Sequence, residues 1–139
     1  MRKIFLDTNI LVDLLADRPP FTQEVVKLIE LAIEKNLELY TSTHVLATVH
    51  YVLKKYVSDQ ELRQTILELT EMIRVIDVSF FVLKKALESN HWDFEDGLQI
   101  SSAESIPEMD YILTRNLKDF KTSSIPAISA EELLRKILK

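Results

Sequence analysis

The 139-residue sequence predicts an α/β fold in which a parallel sheet is covered by helices on both faces. Two observations carry that expectation. Short apolar runs alternate with longer segments of helical periodicity along the whole chain. Serine, threonine or aspartate repeatedly stands where an apolar run gives way to a helix. A third observation sets the scale. A hydrophobic content of 47% with 28% charged residues fills one core and argues against disorder, so residues 1–139 are expected to form a single domain.

Lys3–Leu6 is a short apolar run, read as a buried strand, and Asp7-Thr8-Asn9 then offers three capping residues before the apolar stretch Ile10–Leu15. Pro19-Pro20 breaks the chain and opens a helix in which Val25, Val26, Ile29, Ala32 and Ile33 recur at helical spacing. Leu37–Tyr40 is a second strand. Ser42 or Thr43 caps a helix carrying Val45, Leu46, Val49, Val52, Leu53 and Tyr56 on one side. Ser58 with Glu61 has the spacing of a capping box, ahead of Leu62, Ile66, Leu69 and Ile73. Val75–Val78 is a third strand, and Ser79 starts a helix with Val82, Leu83, Ala86 and Leu87 facing inward. Asp93 to about Ser105 is a less apolar helix, Tyr111–Thr114 a fourth strand and Pro126–Ile128 a short fifth. A second capping box, Ser129 with Glu132, precedes Leu133, Leu134, Ile137 and Leu138.

The composition excludes several classes. There are no cysteines, which rules out disulfides and thiolate metal sites and fits a reducing cytoplasm. No apolar run approaches the roughly 20 residues of a membrane span, and Asp7 comes too early for a signal peptide. A cytoplasmic protein without a membrane partner is expected. The net charge of −5, from 17 basic and 22 acidic residues, argues against coating nucleic acid by bulk positive charge. It is compatible with an enzyme that grips one phosphate through a metal ion.

In parallel α/β sheets ligands bind beyond the carboxyl ends of the strands, near a topological switch point. Strand one ends at Asp7. Strand four is followed by Arg115-Asn116-Leu117-Lys118-Asp119, and the helix before it opens with Asp93 and Asp96, three residues apart on one face. Three segments can therefore bring acids to one sheet edge. Hard cations such as Mg²⁺ and Mn²⁺ take such oxygen ligands. Each acid also has a purely structural reading. Asp7 and Asp93 can be helix caps, Asp96 can serve the helix dipole, and Asp119 can sit in a turn.

Phe5–Leu11, with Asp13 and Arg18-Pro19-Pro20-Phe21 downstream, resembles the opening of bacterial PIN-domain proteins. Asp93-Phe94-Glu95-Asp96-Gly97-Leu98-Gln99 is similar to their central motif and Asp110–Phe120 to their last, in order over nearly the entire chain. The resemblance implies a compact three-layer α/β/α sandwich with strand order 3-2-1-4-5. It implies Mg²⁺- or Mn²⁺-dependent cleavage of RNA, often as the VapC-type toxin of a toxin–antitoxin pair, and commonly a homodimer held by a small antitoxin. It makes Asp7 and Asp96 the central metal-binding acids, with Asn116 and Asp119 in the final motif and Thr8, Asn9 and Thr114 orienting carboxylates. Asp93 is a further candidate ligand, and Arg115 and Lys118 are candidates for RNA phosphate contacts.

One position departs from the pattern. The acid usual in the helix after strand two is replaced by Thr48, which brings no negative charge. Weaker metal binding and a lost general base would follow. That gives the second reading, a catalytically weakened PIN-like domain acting as an RNA- or protein-binding module. His50 is two residues on, about 200° around the helix, and faces elsewhere. His44 and His91 are read as surface or boundary residues. A phospho-acceptor receiver domain needs adjacent acids after strand one and an aspartate ending strand three. Here Asp7 is followed by Thr8-Asn9, and Asp77 is expected within its strand.

Overall fold

The computed structural model describes residues 2–34 and 37–138; the expected domain limits at 1 and 139 lie outside them. Five strands, β1 (Arg2–Leu6), β2 (Leu37–Ser42), β3 (Arg74–Ile76), β4 (Tyr111–Leu113) and β5 (Ala127–Ile128), form one parallel sheet in the order β3-β2-β1-β4-β5. Between them run α1 (Thr8–Leu15), α2 (Phe21–Ile33), α3 (Thr43–Leu53), α4 (Asp59–Leu69), α5 (Phe80–Glu88) and α6 (Phe94–Glu104). A 3₁₀ turn (Leu117–Phe120) follows β4, and α7 (Ala130–Ile137) closes the described chain. The result is the α/β sandwich with the strand order that the family resemblance implies.

The central strands are apolar on both faces because helices cover both. Ile4, Phe5 and Leu6 of β1 and Ile112 and Leu113 of β4 are fully enclosed. α6 explains its own weak amphipathicity. Ile100 and Ala103 join the main core, while Leu98 packs with Val82 and Ala86 of α5 in a second cluster. A helix buried from Gly97 to Ala103 cannot show one polar face, so its serines turn inward and find carbonyls. Ser101 Oγ donates to Val82 O at 2.9 Å and Ser102 Oγ to Leu98 O at 2.8 Å.

Helix starts follow the sequence closely. Ser42, Ser58, Ser79 and Ser129 each accept from a backbone N–H three residues on, in both expected capping boxes and at two further N-caps. Ser42, rather than Thr43, caps α3. Several expected boundaries move. α3 stops at Leu53, leaving Tyr56 beyond it and exposed, and α4 stops at Leu69, so Ile73 is buried from a loop. Leu87 is 61% exposed rather than inward, because α5 meets the core only through Val82, Ala86 and the half-buried Leu83. β3 ends at Ile76, which puts Asp77 just after the strand and not within it. β3 is the sheet edge, with β2 between it and β1. Asp77 therefore lies two strands away from the strand that carries Asp7.

Candidate functional site

The strand order reverses direction at β1 and β4, the neighbouring pair reached by crossovers on opposite sides, and the acids lie beyond the carboxyl ends of these two strands. Asp7 N donates to Leu113 O at 3.0 Å, extending the β1–β4 ladder one residue past the strand. Asp7 thus occupies the N-cap position of α1, but its carboxylate does not cap the helix. Oδ2 instead accepts from Thr114 Oγ1 at 2.7 Å, and the Thr8 N–H and the Gln99 side-chain amide also hydrogen-bond the carboxylate. Asp7 is only 4% exposed. Burial pushes its pKa above the ordinary value, the three hydrogen bonds pull against that shift, and the charge of Asp119 adds to it.

Asp93 does act as a cap. Its Oδ1 accepts from Asp96 N at 2.9 Å at the start of α6, so one oxygen is committed to the helix. Asp96 in the first turn is half-buried. Burial first, then the charges of Asp93, Asp119, Asp7 and Glu95, push it up to about 7 from 3.8. Five acids from three segments therefore share one field. Asn116 N donates to Thr114 Oγ1 at 2.9 Å, and Asp119 N to Asn116 O at 3.0 Å. The threonine that orients Asp7 thus also fixes the loop that carries the exposed Asn116 and Asp119. Asp93, Asp96 and Asp119 line a cleft of about 410 Å³ together with Trp92, Lys118 and Lys121.

The donor set suits a hard divalent cation: oxygen ligands in mutual repulsion, one of them held near half-protonation at neutral pH. Among the described residues, no three acids or histidines are drawn into a ready-made cation cage.

Other expected site residues are placed differently. Arg115 Nε and Nη2 reach Asp13 Oδ2 and Oδ1 at 2.6 and 3.1 Å, and its guanidinium lies 4.4 Å from the Phe21 ring centroid. Asp13 is fully enclosed, with Arg18 at 3.8 Å as a second partner. Arg115, with its side chain 33% exposed, is therefore committed first to an ion pair with the buried Asp13, whereas Lys118 lines the acidic cleft. Thr48 Oγ1 donates to His44 O at 3.0 Å on its own helix, and Asn9 is half-buried at the start of α1. His50 Nε2 pairs with Asp59 at 2.7 Å, and His91 Nδ1 lies 2.6 Å from Thr122 Oγ1. His44 is not a surface residue throughout, since its Nδ1 is enclosed without a partner.

Gln99 received no role from the sequence. It is 4% exposed, bonds Asp7 through its amide and leaves Oε1 without a partner. The available signal was position: residues 96 and 99 are three apart and share a helix face.

Comparison with known proteins resolves the family. The family model described as PIN domain matches residues 3–118. The chain belongs to the PIN-domain family. The match runs from β1 through β4 into the 3₁₀ turn and ends one residue before Asp119. This PIN domain is 28% identical over 135 residues to Ribonuclease VapC1 of Aquifex aeolicus, covering 94% of this chain and 92% of the relative. Its fold is similar to that in VapBC from Salmonella typhimurium bound to DNA, with a TM-score of 0.71, 16% identity and coverage of 94% and 99% of the two chains. It is also similar to that in VapBC2 from Rickettsia felis bound to a promoter DNA fragment, with a TM-score of 0.65, 22% identity and coverage of 91% and 98%.

Proposed function

We propose that this PIN domain is a divalent-metal-dependent endoribonuclease that cleaves RNA phosphodiesters, with Asp7, Asp96 and Asp119 holding Mg²⁺ or Mn²⁺. The observation that carries the reading is Asp7. A buried aspartate at a helix N-cap makes no side-chain capping bond further into the helix than the adjoining Thr8 amide and turns its carboxylate to Thr114, in the field of two further acids. A role as cap alone would use the N–H groups of the second or third helical residue. Likeness to a VapC ribonuclease supports the substrate class.

A divalent cation bound there supplies Lewis acidity toward the phosphodiester and activates water for attack on phosphorus. The chain's own residues set the stage. Thr114 and Gln99 fix the Asp7 carboxylate, and Thr8 stabilises its charged form from the backbone. Asp93 holds the first turn of α6 so that Asp96 faces Asp7 and Asp119, and its second oxygen remains for the cation's hydration shell. Asn116 offers a neutral oxygen beside Asp119. Lys118 meets the substrate phosphate, while Arg115 acts through Asp13, shaping the loop rather than touching RNA.

The test is a cleavage assay on RNA with Mn²⁺, beside Asp7→Asn protein and an EDTA control. Cleavage only by the wild-type protein with metal supports the reading; equal outcomes in all three sink it. Thr48 favours the second reading, a weakened domain that binds RNA or protein. Its hydroxyl is turned to the His44 carbonyl and contributes no charge to the site. Thr48→Glu separates the two: a gain in Mn²⁺ affinity and turnover identifies Thr48 as the cause of weak catalysis, and no gain removes that explanation. The VapBC complexes among its structural neighbours support a toxin-like role with a small antitoxin partner. We further propose that the domain is a cytoplasmic homodimer, as the family resemblance implies. Sedimentation at two concentrations checks the dimer.

A further inference from the structure

Trp92 is the only tryptophan of the chain, and its side chain is 101% exposed. A single exposed apolar residue is ordinary on a protein surface, so position decides its meaning. Trp92 stands immediately before the N-cap of α6 and lines the same cleft as Asp96 and Asp119. Two ammonium groups, Lys118 and Lys121, reach that cleft from the 3₁₀ turn after β4. Among the described residues neither lysine has a carboxylate within ion-pair distance, and no cation lies over the indole. A free aromatic face, two free cations and two of the three proposed metal-holding acids, Asp96 and Asp119, therefore meet in one cavity of about 410 Å³. That volume lies within the range of small-ligand sites and can take one nucleotide.

We infer that Trp92 is a stacking platform for an unpaired base next to the scissile phosphodiester, a contact with the bound strand made outside the acidic centre. The inference rests on the ribonuclease reading above and adds to it a residue that positions the substrate. An exposed indole offers one flat face, and a base can cover it only when its own face is free, which base pairing and stacking in a helix prevent. Stacking tolerates any base, because every base has a π-face, so it selects for strandedness and not for sequence. The lysines supply what the acids cannot, attraction for the phosphates on either side of the stacked base. A neutral or acidic protein partner would explain the aromatic ring but would leave the cleft acids unmatched.

Because the chain has one tryptophan, its emission reports on this residue alone. Asp7→Asn protein with Mg²⁺ holds RNA uncut and is titrated with a short fluorescein-labelled single strand, and separately with the duplex made by adding its complement. Binding is followed by anisotropy, and indole exposure by iodide quenching. The expected result is loss of iodide access in the single-strand complex, with the duplex bound about tenfold more weakly. In the wild-type protein Trp92→Ala raises KM for the single strand about tenfold, the weight of one stacked base. Trp92→Phe stays within about threefold of wild type, and Tm is unchanged in both. A tryptophan that remains open to iodide in the saturated complex overturns the inference and leaves the ribonuclease reading intact. Equal cleavage of single strand and duplex, or an unaltered KM for Trp92→Ala, does the same. Absence of any RNA cleavage by the wild-type protein removes both readings together.

Discussion

At the scale of single residues, Asp7 and the groups that hold it separate function from folding. Thr114→Val removes the 2.7 Å hydrogen bond to Asp7 and the anchor of the Asn116 loop while keeping the side chain's shape. Mn²⁺ affinity and cleavage rate are expected to fall about 10- to 100-fold, the usual effect of losing a group that orients a ligand. Isothermal titration with Mn²⁺ reads the first and an RNA cleavage time course the second. Gln99→Leu behaves differently. It takes a donor from Asp7, which weakens Mn²⁺ binding, but it also removes a buried acceptor that has no partner. Tm is therefore expected to hold or rise. A large fall in Tm would mean that Oε1 has a partner in solution. Of these residues, Asp7, Asp96, Asp119 and Thr114 were legible in the sequence, because their chemistry is tied to strand ends and short spacings. Gln99 was not, because a glutamine in a helix acquires its meaning only from what stands opposite it in the fold.

Between elements, the Asp13–Arg115 pair ties α1 to the loop after β4. Removing the guanidinium leaves a fully enclosed carboxylate with only Arg18 at 3.8 Å. Arg115→Met is expected to destabilise the fold by about 2–3 kcal/mol, below the usual effect of stranding a buried charge because Arg18 remains. Urea denaturation with an unchanged m-value checks this. If Arg115 served RNA alone, stability would be untouched and only KM would rise. Element order and most helix starts were readable from alternation and capping residues, and Ser58 and Ser129 perform the roles their spacing announced. Helix ends were less readable. α3 and α4 stop while apolar residues continue, since Tyr56 and Ile73 satisfy a periodic pattern without belonging to a helix. Asp13 lay in the quoted opening motif, yet its partner is 102 residues away, and no local pattern reports such a pairing.

For the whole molecule, the acidic site couples stability to pH and to metal. Asp7 and Asp96 have folded-state pKa values raised above their ordinary ones, Asp96 to about 7. The folded chain then binds more protons than the unfolded chain between about pH 4 and 7, so stability of the metal-free protein falls as pH rises through that window. Thermal melts in EDTA are expected to give a lower Tm at pH 7.5 than at pH 5, with a smaller difference in Asp96→Asn. Added Mn²⁺ reverses the trend, because a cation favours the charged carboxylates and binds more tightly as they deprotonate. A Tm that rises with pH in EDTA would contradict the assigned shifts. The hydrogen bond from Thr114 to Asp7 spans 107 positions of sequence, and the loop it anchors continues to Asp119. A ribosome makes Asp7 before Thr114, so the carboxylate waits unpaired while the residues between them are added. No shortened product that stops before Thr114 can assemble the acidic centre, so whatever this site does begins only after β4 has been made.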